Sequence, residues 1–223
     1  MTALPLIRLF DTDLVIFDCD GVLVDSEPLS NAVMAEHITR LGWPMDGTAA
    51  MARFKGRTMA QVHAAVEAHL GRTLDPVWRD GFHRDQEARM RLELRAVPGV
   101  AALIGRVHAA GLASCVASQG RHEKMAVSLG ATGLLETFRG RIFSAVDVAR
   151  PKPFPDLFLH AAARMGASPG RCIVIEDSPT GLEAARAAGM RVIGYDPDGT
   201  LAREASRDDG AAFVRAMEKI GVG

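Results

Sequence analysis

The sequence lacks the marks of a membrane, secreted or disulfide-linked protein. It has no run of about 20 apolar residues, which a helix needs to cross a bilayer. Its start, MTALPLIRLFDTD, has neither the basic beginning nor the long apolar centre of a signal peptide. The three cysteines are odd in number and far apart, which argues against disulfides and a zinc site: Cys19, Cys115 and Cys172. We therefore expect a cytoplasmic protein with buried cysteines.

The sequence also lacks an excess of charge of either sign. It has 26 Lys and Arg against 27 Asp and Glu, which gives a formal net charge of −1. This balance provides no field to attract nucleic acid or an anionic membrane, and we expect neither as a partner. An anionic substrate must then be held by a few placed cations or a metal. For the assembly, we expect a monomer or a small homo-oligomer.

Two common functional motifs are missing as well. The seven histidines are scattered and form no H-E-x-x-H arrangement, which argues against a metal site built from histidine. No G-x-G-x-x-G follows the first predicted strand, which argues against a dinucleotide-binding enzyme.

What the sequence does contain is a repeated alternation of short apolar runs and amphipathic stretches. The runs are almost continuously apolar, as in strands that are covered on both faces of a parallel sheet. The amphipathic stretches often end at glycine, which is typical of helix ends. The pattern predicts an α/β fold with a doubly wound parallel sheet. The predicted strands are Leu14–Phe17, Ala113–Ala117, Arg141–Ser144, Cys172–Ile175 and Arg191–Tyr195.

One long region departs from this alternation. Residues 28–96 contain no convincing strand, whereas helical spacing of apolar residues is common there. The region is too long for a crossover helix between two strands. We predict a Rossmann-like core made of residues 1–27 and 97–223, with residues 28–96 inserted as an all-helical cap domain.

Polar residues follow two of the predicted strands at positions where a parallel sheet places its ligand crevice. After the first strand, Asp18-x-Asp20-Gly21 offers two carboxylates that suit Mg²⁺, and a carboxylate can also attack phosphorus. After the second strand, Ser118 and the backbone N–H groups near Gln119 suit a phosphate oxygen. The alternatives are a polar turn for the aspartates and a helix cap for the serine.

Two later segments carry further charged candidates. Lys152 lies between Pro151 and Pro153, which restrict the backbone and hence the direction of its ammonium group. Glu176 and Asp177 end another apolar run and precede a predicted helix. Asp177 then serves either as a second metal-binding carboxylate or as a helix cap.

These segments resemble the motifs of the haloacid dehalogenase superfamily of phosphotransferases, in the branch with a helical cap. The likeness rests on FDCDGVLVDSE, VASQG, RPKPFPD and VIEDSPTGLEAARAAG, and it runs from Leu14 to about Pro197. The resemblance implies that Asp18 is the nucleophile and that Asp20 is first general acid and then general base. It also implies that Ser118, Gln119 and Lys152 bind the transferring phosphate.

The resemblance further implies a Mg²⁺ cofactor. The ion is expected to be held by the Asp18 side chain, the Asp20 backbone carbonyl and Asp177. Glu176 is expected either to bind this metal directly or to lie next to its ligands.

The presence of Asp20 disfavours carbon–halogen cleavage, because the dehalogenases lack this second acid. The sequence is similar to the sugar-phosphate phosphatases of the superfamily, including the 6-phosphogluconate type. We therefore expect a phosphatase acting on a small sugar phosphate or sugar-acid phosphate. Arg53, Lys55 and Gly56 lie where capped relatives contact substrate, although an exposed helix edge explains the two cations equally well.

Two alternative functions remain open at this point. A β-phosphoglucomutase shares the motifs, but it has a histidine where this chain has Ser30 and an arginine where it has Met59. A receiver-like domain that only holds a phosphoryl group is disfavoured, because there the acidic pair and the phosphorylated aspartate lie on different strands.

Overall fold

The computed structural model describes residues 7–54, 57, 59–75, 77–204 and 211–222. The chain divides into two compact units, Met1–Val24 with Ala96–Gly223 and Asp25–Arg95. These limits are close to the predicted domain boundaries, and the assignment of the two units as separate domains stays a prediction.

The first unit contains the strands and five of the described helices. The strands are β1 (Ile7–Arg8), β2 (Leu14–Phe17), β3 (Ala113–Ser118), β4 (Ile142–Ser144), β5 (Cys172–Glu176), β6 (Arg191–Tyr195), β7 (Ala212–Val214) and β8 (Ile220–Gly221). The second unit contains α1 (Glu27–Arg40), α2 (Gly47–Phe54), α3 (Met59–Leu70) and α4 (Val77–Glu93). The helices of the first unit are α5 (Val100–Ala109), α6 (His122–Ala131), α7 (Asp156–Met165), α8 (Pro179–Ala187) and α9 (Thr200–Glu204).

The main sheet has the strand order β4-β3-β2-β5-β6-β7, and all of its pairings are parallel. The chain runs outward from β2 through β3 to β4, and then returns to β5 on the other side of β2. A ligand crevice in such a sheet lies at this reversal, beyond the carboxyl ends of the strands. The predicted doubly wound parallel sheet is confirmed.

Strand β2 lies in the interior of the sheet between β3 and β5, and its four residues are apolar and fully buried. On one face, Leu14 and Ile16 belong to the same core cluster as Leu157 and Phe158 of α7. Phe17 contacts Phe138 edge-on, with ring centroids 6.0 Å apart. A strand covered on both faces holds its carboxyl end in a fixed position, which is what a site built there requires.

The described residues of the second unit form four helices joined by turns and loops, and the unit has its own apolar core. This core includes Ile38 of α1, Ala50 of α2, Val66 of α3 and Phe82 of α4. Helices α3 and α4 lie where the sequence predicted helical spacing. In the described residues of the whole chain, no helix has both the length and the apolar character to cross a membrane.

Candidate active site

Asp18 directly follows the carboxyl end of the central strand β2. Phe17 pairs with Val116 of β3 and Ile175 of β5, and the Asp18 N–H donates to the Ile175 carbonyl over 3.0 Å. The backbone of Asp18 is therefore held between the ends of two neighbouring strands. Its side chain is almost entirely buried.

Lys152 lies in the loop before α7, and its ammonium group bridges two buried carboxylates. It donates to Asp18 Oδ1 and to Glu176 Oε1, each over 2.6 Å. The Nζ atom also lies 4.7 Å from the centroid of the Phe158 ring, within cation–π range. We call Asp18, Lys152 and Glu176 the buried charge cluster.

The buried charge cluster contains two acids and one base, and this imbalance affects protonation. Burial raises the pKa of the Asp18 carboxyl; Lys152 opposes this shift, Glu176 and Asp20 add to it, and the pKa reaches about 7. Burial disfavours the charged form of Lys152, but Asp18 and Glu176 outweigh it and hold the pKa of the ammonium above its ordinary value. Lys152 is therefore a permanent cation at neutral pH.

Glu176 is oriented by the start of α8. Its Oε2 accepts hydrogen bonds from the Ser178 N–H at 2.8 Å and from the Ser178 hydroxyl at 2.9 Å. Ser178 is the N-cap of α8 and accepts from the Gly181 N–H, so Asp177 does not occupy the cap position. Both Glu176 oxygens are thus bonded within the protein, and its predicted role as a metal ligand stays a prediction.

Gly181 leaves the space that the Glu176 carboxylate occupies. A Cβ added at Gly181 would lie 1.9 Å from both Cδ and Oε1 of Glu176. We expect Gly181→Ala to destabilise the protein by about 1–3 kcal/mol, because it displaces Glu176 from Lys152 in a packed interior. Urea unfolding measures the change in the free energy of unfolding.

The matched control is Gly105→Ala in α5. An added Cβ there meets nothing within 4 Å, and the position is exposed. Since alanine is the better helix former, this variant is expected to gain roughly 0.5–1 kcal/mol. A gain of the same size for Gly181→Ala would contradict the close contact with Glu176.

Asp20 is followed by a tight turn at Gly21, and the side chain of Asp177 packs against this turn. Only glycine fits at position 21. Gly21 has φ of +80°, and a Cβ added there would lie 1.8 Å from Asp177 Oδ2. The Asp177 carboxylate therefore lies directly against the backbone that follows Asp20. The Asp20 carboxylate itself accepts a hydrogen bond from Lys124 of α6, with 2.6 Å between Oδ2 and Nζ.

These oxygens are of the kind that Mg²⁺ takes. In the described part of the chain, no three His, Cys, Asp or Glu side chains are grouped so as to hold a metal ion. The predicted set needs only two carboxylates, from Asp18 and Asp177, together with the Asp20 backbone carbonyl. The position of Asp177 against the Gly21 backbone fits that set.

Ser118 ends β3, the strand beside β2. Its side chain is buried, and its hydroxyl oxygen accepts from the Gly120 N–H over 3.2 Å. It does not cap α6, whose N-cap is Arg121. Gln119 is exposed in the turn between β3 and α6. The phosphate-binding roles of Ser118 and Gln119 stay predictions.

The remaining predicted residues belong to the other unit. Arg53 is exposed at the end of α2, and its guanidinium carbon lies 4.9 Å from the centroid of the Trp43 ring. Lys55 and Gly56 lie outside the described residues. Substrate binding by these three residues stays a prediction.

Lys124 is the site residue that sequence reasoning missed. It is the third residue of α6, in the first helical turn. A helix N-terminus favours anions, so the dipole of α6 does not account for a lysine there, and no local sequence pattern indicates its partner Asp20.

Comparisons with known proteins agree with this geometry. Residues 12–189 match the family model described as haloacid dehalogenase-like hydrolase. The chain is 34% identical over 185 residues to a 6-phosphogluconate phosphatase of Escherichia coli K12, covering 82% of each chain. It is 31% identical over 189 residues to a fructose-1-phosphate phosphatase of the same strain, covering 80% of this chain and 94% of that one.

A solved structure is similar along almost the whole chain. It is a HAD family hydrolase from Deinococcus radiodurans R1 with bound phosphate and sodium. Its TM-score is 0.77 at 33% identity, and the match covers 92% of this chain and 91% of that one.

Proposed function

The chain belongs to the haloacid dehalogenase-like hydrolase family, and on that premise we propose that it is a Mg²⁺-dependent phosphatase that forms an aspartyl-phosphate on Asp18. Membership of this family and its phosphatase relatives make the chain a phosphoric monoester hydrolase. The substrate class is a small phosphate ester.

The observation that carries the proposal is the 2.6 Å contact between Lys152 Nζ and Asp18 Oδ1 at the carboxyl end of the central strand. A buried carboxylate beside a permanent cation is both oriented and partly neutralised. Such a carboxylate is suited to approach an anionic phosphate, because the cation offsets the repulsion between the two.

Mg²⁺ would be held by the carboxylates of Asp18 and Asp177 and by the Asp20 carbonyl, and it would supply positive charge for the phosphate oxygens. The chain's own residues then account for the bond changes. An Asp18 oxygen attacks phosphorus, the ester P–O bond breaks, and Asp20 gives a proton to the leaving oxygen.

The second half of the reaction returns the enzyme to its starting state. Asp20, now ionised, takes a proton from a water molecule, whose oxygen attacks the phosphorus of the aspartyl-phosphate. The P–O bond to Asp18 breaks, and phosphate leaves. Lys152 stays protonated and offsets charge on the transferring phosphoryl group together with Ser118, whose hydroxyl can donate a hydrogen bond.

For the leaving alcohol we propose a sugar or a sugar acid. The names of the two Escherichia coli relatives support this class. Arg53, Lys55 and Gly56 would contribute to the recognition of polar or anionic groups of the sugar. A cytoplasmic location fits such a metabolite and stays a prediction.

The chain lacks two groups that a mutase needs to hold a bisphosphate and to reuse its phosphoenzyme. Ser30 and Met59 stand where the mutase has histidine and arginine. The Ser30 hydroxyl accepts a hydrogen bond from Gln86 of α4 over 2.9 Å, and this contact lies within the helical unit. No contact of the described residues favours the mutase over the hydrolase.

A substrate panel tests the proposal. The purified chain is incubated with Mg²⁺ and 6-phosphogluconate, fructose 1-phosphate, p-nitrophenyl phosphate, or β-glucose 1-phosphate with its bisphosphate activator. We expect release of inorganic phosphate from at least one sugar ester, and a loss of at least about 100-fold when EDTA removes the metal.

Two results would contradict the proposal. Conversion of β-glucose 1-phosphate to glucose 6-phosphate without net phosphate release would identify a mutase. Full turnover in EDTA would remove Mg²⁺ from the mechanism. Adding back Mg²⁺ after EDTA is the control for irreversible damage by the chelator.

A further inference from the structure

Lys124 is paired with a catalytic candidate rather than with a neighbour in its own helix. Its Nζ atom lies 2.6 Å from Asp20 Oδ2, although the two residues are 104 positions apart in the sequence. The pair is partly exposed, with 42% of the lysine side chain and 30% of the aspartate side chain accessible to solvent.

Such a pair contributes little to the stability of the fold. Exposed ion pairs are screened by water, and holding a long lysine side chain in one conformation costs entropy. A role in stability therefore does not explain why the lysine is directed at this carboxylate.

The backbone that carries Lys124 is well anchored. The Ser144 hydroxyl donates to the Gly120 carbonyl over 2.7 Å, just before α6. His122, the first residue of α6, lies 2.9 Å from Asp147 Oδ1. The lysine stem passes over Gly120, where an added Cβ would lie 3.8 Å from Lys124 Cδ. The ammonium group thus reaches Asp20 from the first turn of α6, whose start is held by these contacts.

Each acid of the D-x-D segment contacts a lysine, and the environments of these two lysines differ. Lys152 is buried with Asp18, where a nucleophile needs a fixed position. Lys124 meets Asp20 at the solvent-accessible side, where a group that exchanges protons with a leaving alcohol and with water must remain reachable.

We propose that Lys124 is a positioning residue that holds the Asp20 carboxylate in the orientation needed for proton transfer. This inference rests on the proposed function. Asp20 gives its proton to the leaving oxygen as the ester bond breaks, and then takes one from water as the aspartyl-phosphate is cleaved. Lys124 keeps its own protons throughout and acts only by donating a hydrogen bond to Asp20.

The test compares two aryl esters that differ in their need for a proton. p-Nitrophenolate leaves without one, whereas the phenolate of phenyl phosphate is a poorer leaving group and benefits from a general acid. The value of kcat/KM covers the steps up to release of the alcohol, so it isolates this first proton transfer.

For Lys124→Met we expect kcat/KM for phenyl phosphate to fall by roughly 10- to 100-fold. This loss is part of the rate enhancement that general acid catalysis usually contributes, which is about 10²–10⁴-fold. For p-nitrophenyl phosphate it should stay within about threefold of the unmodified protein. Lys124→Arg, which keeps a cation that can donate a hydrogen bond to Asp20, should retain most of the activity toward phenyl phosphate. The melting temperature should change by less than about 3 °C.

The matched control is Arg171→Met. Arg171 forms an exposed ion pair with Asp13, with 2.6 Å between Nη2 and Oδ1. The two residues directly precede β5 and β2, at the strand ends away from the candidate site. This variant should leave kcat/KM for both esters unchanged. Equal losses on both esters for Lys124→Met, or no loss on either, would overturn the positioning role.

Asp18→Asn separates this inference from the proposed function. If Asp18→Asn still turns over either ester, the aspartyl-phosphate mechanism itself is wrong. If Asp18→Asn is inactive and Lys124→Met behaves like Arg171→Met, only the role of Lys124 is wrong.

Discussion

Asp18→Asn is expected to remove phosphatase turnover, by on the order of 10⁴-fold or more, while leaving the protein at least as stable as before. An amide cannot form the acyl-phosphate, so the first chemical step is lost. The side chain keeps its size and its oxygen, so the packing around β2 should not change.

The stability follows from the charges of the buried charge cluster. Lys152 lies 2.6 Å from two carboxylate oxygens, one from Asp18 and one from Glu176. Removing the Asp18 charge leaves one cation and one anion, which is a balanced buried pair. It also removes a carboxyl group whose pKa is raised by burial to about 7, so an unfavourable buried charge disappears.

Two measurements check this prediction together. Steady-state turnover of p-nitrophenyl phosphate gives the activity, and urea unfolding in EDTA gives the free energy of unfolding without a contribution from bound metal. Asp13→Asn is the matched control, because it makes the same change just before the amino end of β2, at the end of the strand away from the site. A stable Asp18→Asn protein with normal turnover would rule out Asp18 as the nucleophile.

The sequence predicted the strands of the sheet centre well, because their signals are local. The runs at β2 and β5 are continuously apolar and each is followed by an acid, and the observed strands match the predicted ones to within one residue. Strand β7 was not predicted. It has three residues, Ala212–Val214, and it is a strand because it pairs with β6, which is not a property of its own sequence.

The sequence indicated several charged residues of the candidate site but not the contacts between them. The sequence indicated that acids and a lysine lie at neighbouring strand ends. It did not indicate that Glu176 is directed at Lys152 and Ser178, because that depends on the helix start at Pro179 and on the space left by Gly181. The sequence likewise did not indicate the contact between Asp20 and Lys124, since Lys124 lies on a helix 104 residues further along the chain.

Lys152→Met should have the opposite effect on stability from Asp18→Asn, although both change the same cluster. It leaves two buried carboxylates, Asp18 and Glu176, without their cation. Breaking a buried pair by removing one partner typically costs about 3–5 kcal/mol, and we expect a loss of that size here. Methionine nearly matches the lysine stem in length and packs well against Phe158, so the loss would not reflect a cavity.

Activity should fall in the same variant by roughly 10²–10³-fold, which is typical for the loss of one donor to a developing negative charge. Urea unfolding in EDTA and turnover of p-nitrophenyl phosphate measure the two effects.

The control for the charge argument is Glu176→Gln, which leaves Lys152 and Asp18 as a balanced pair and should cost less than about 2 kcal/mol. In the double variant Lys152→Met with Glu176→Gln, only one buried carboxylate remains, so the combined loss should be smaller than the sum of the two single losses. Strict additivity of the two changes, or a Lys152→Met protein as stable as the original, would show that the ammonium does not balance both acids. The cluster would then have to be held together by packing alone.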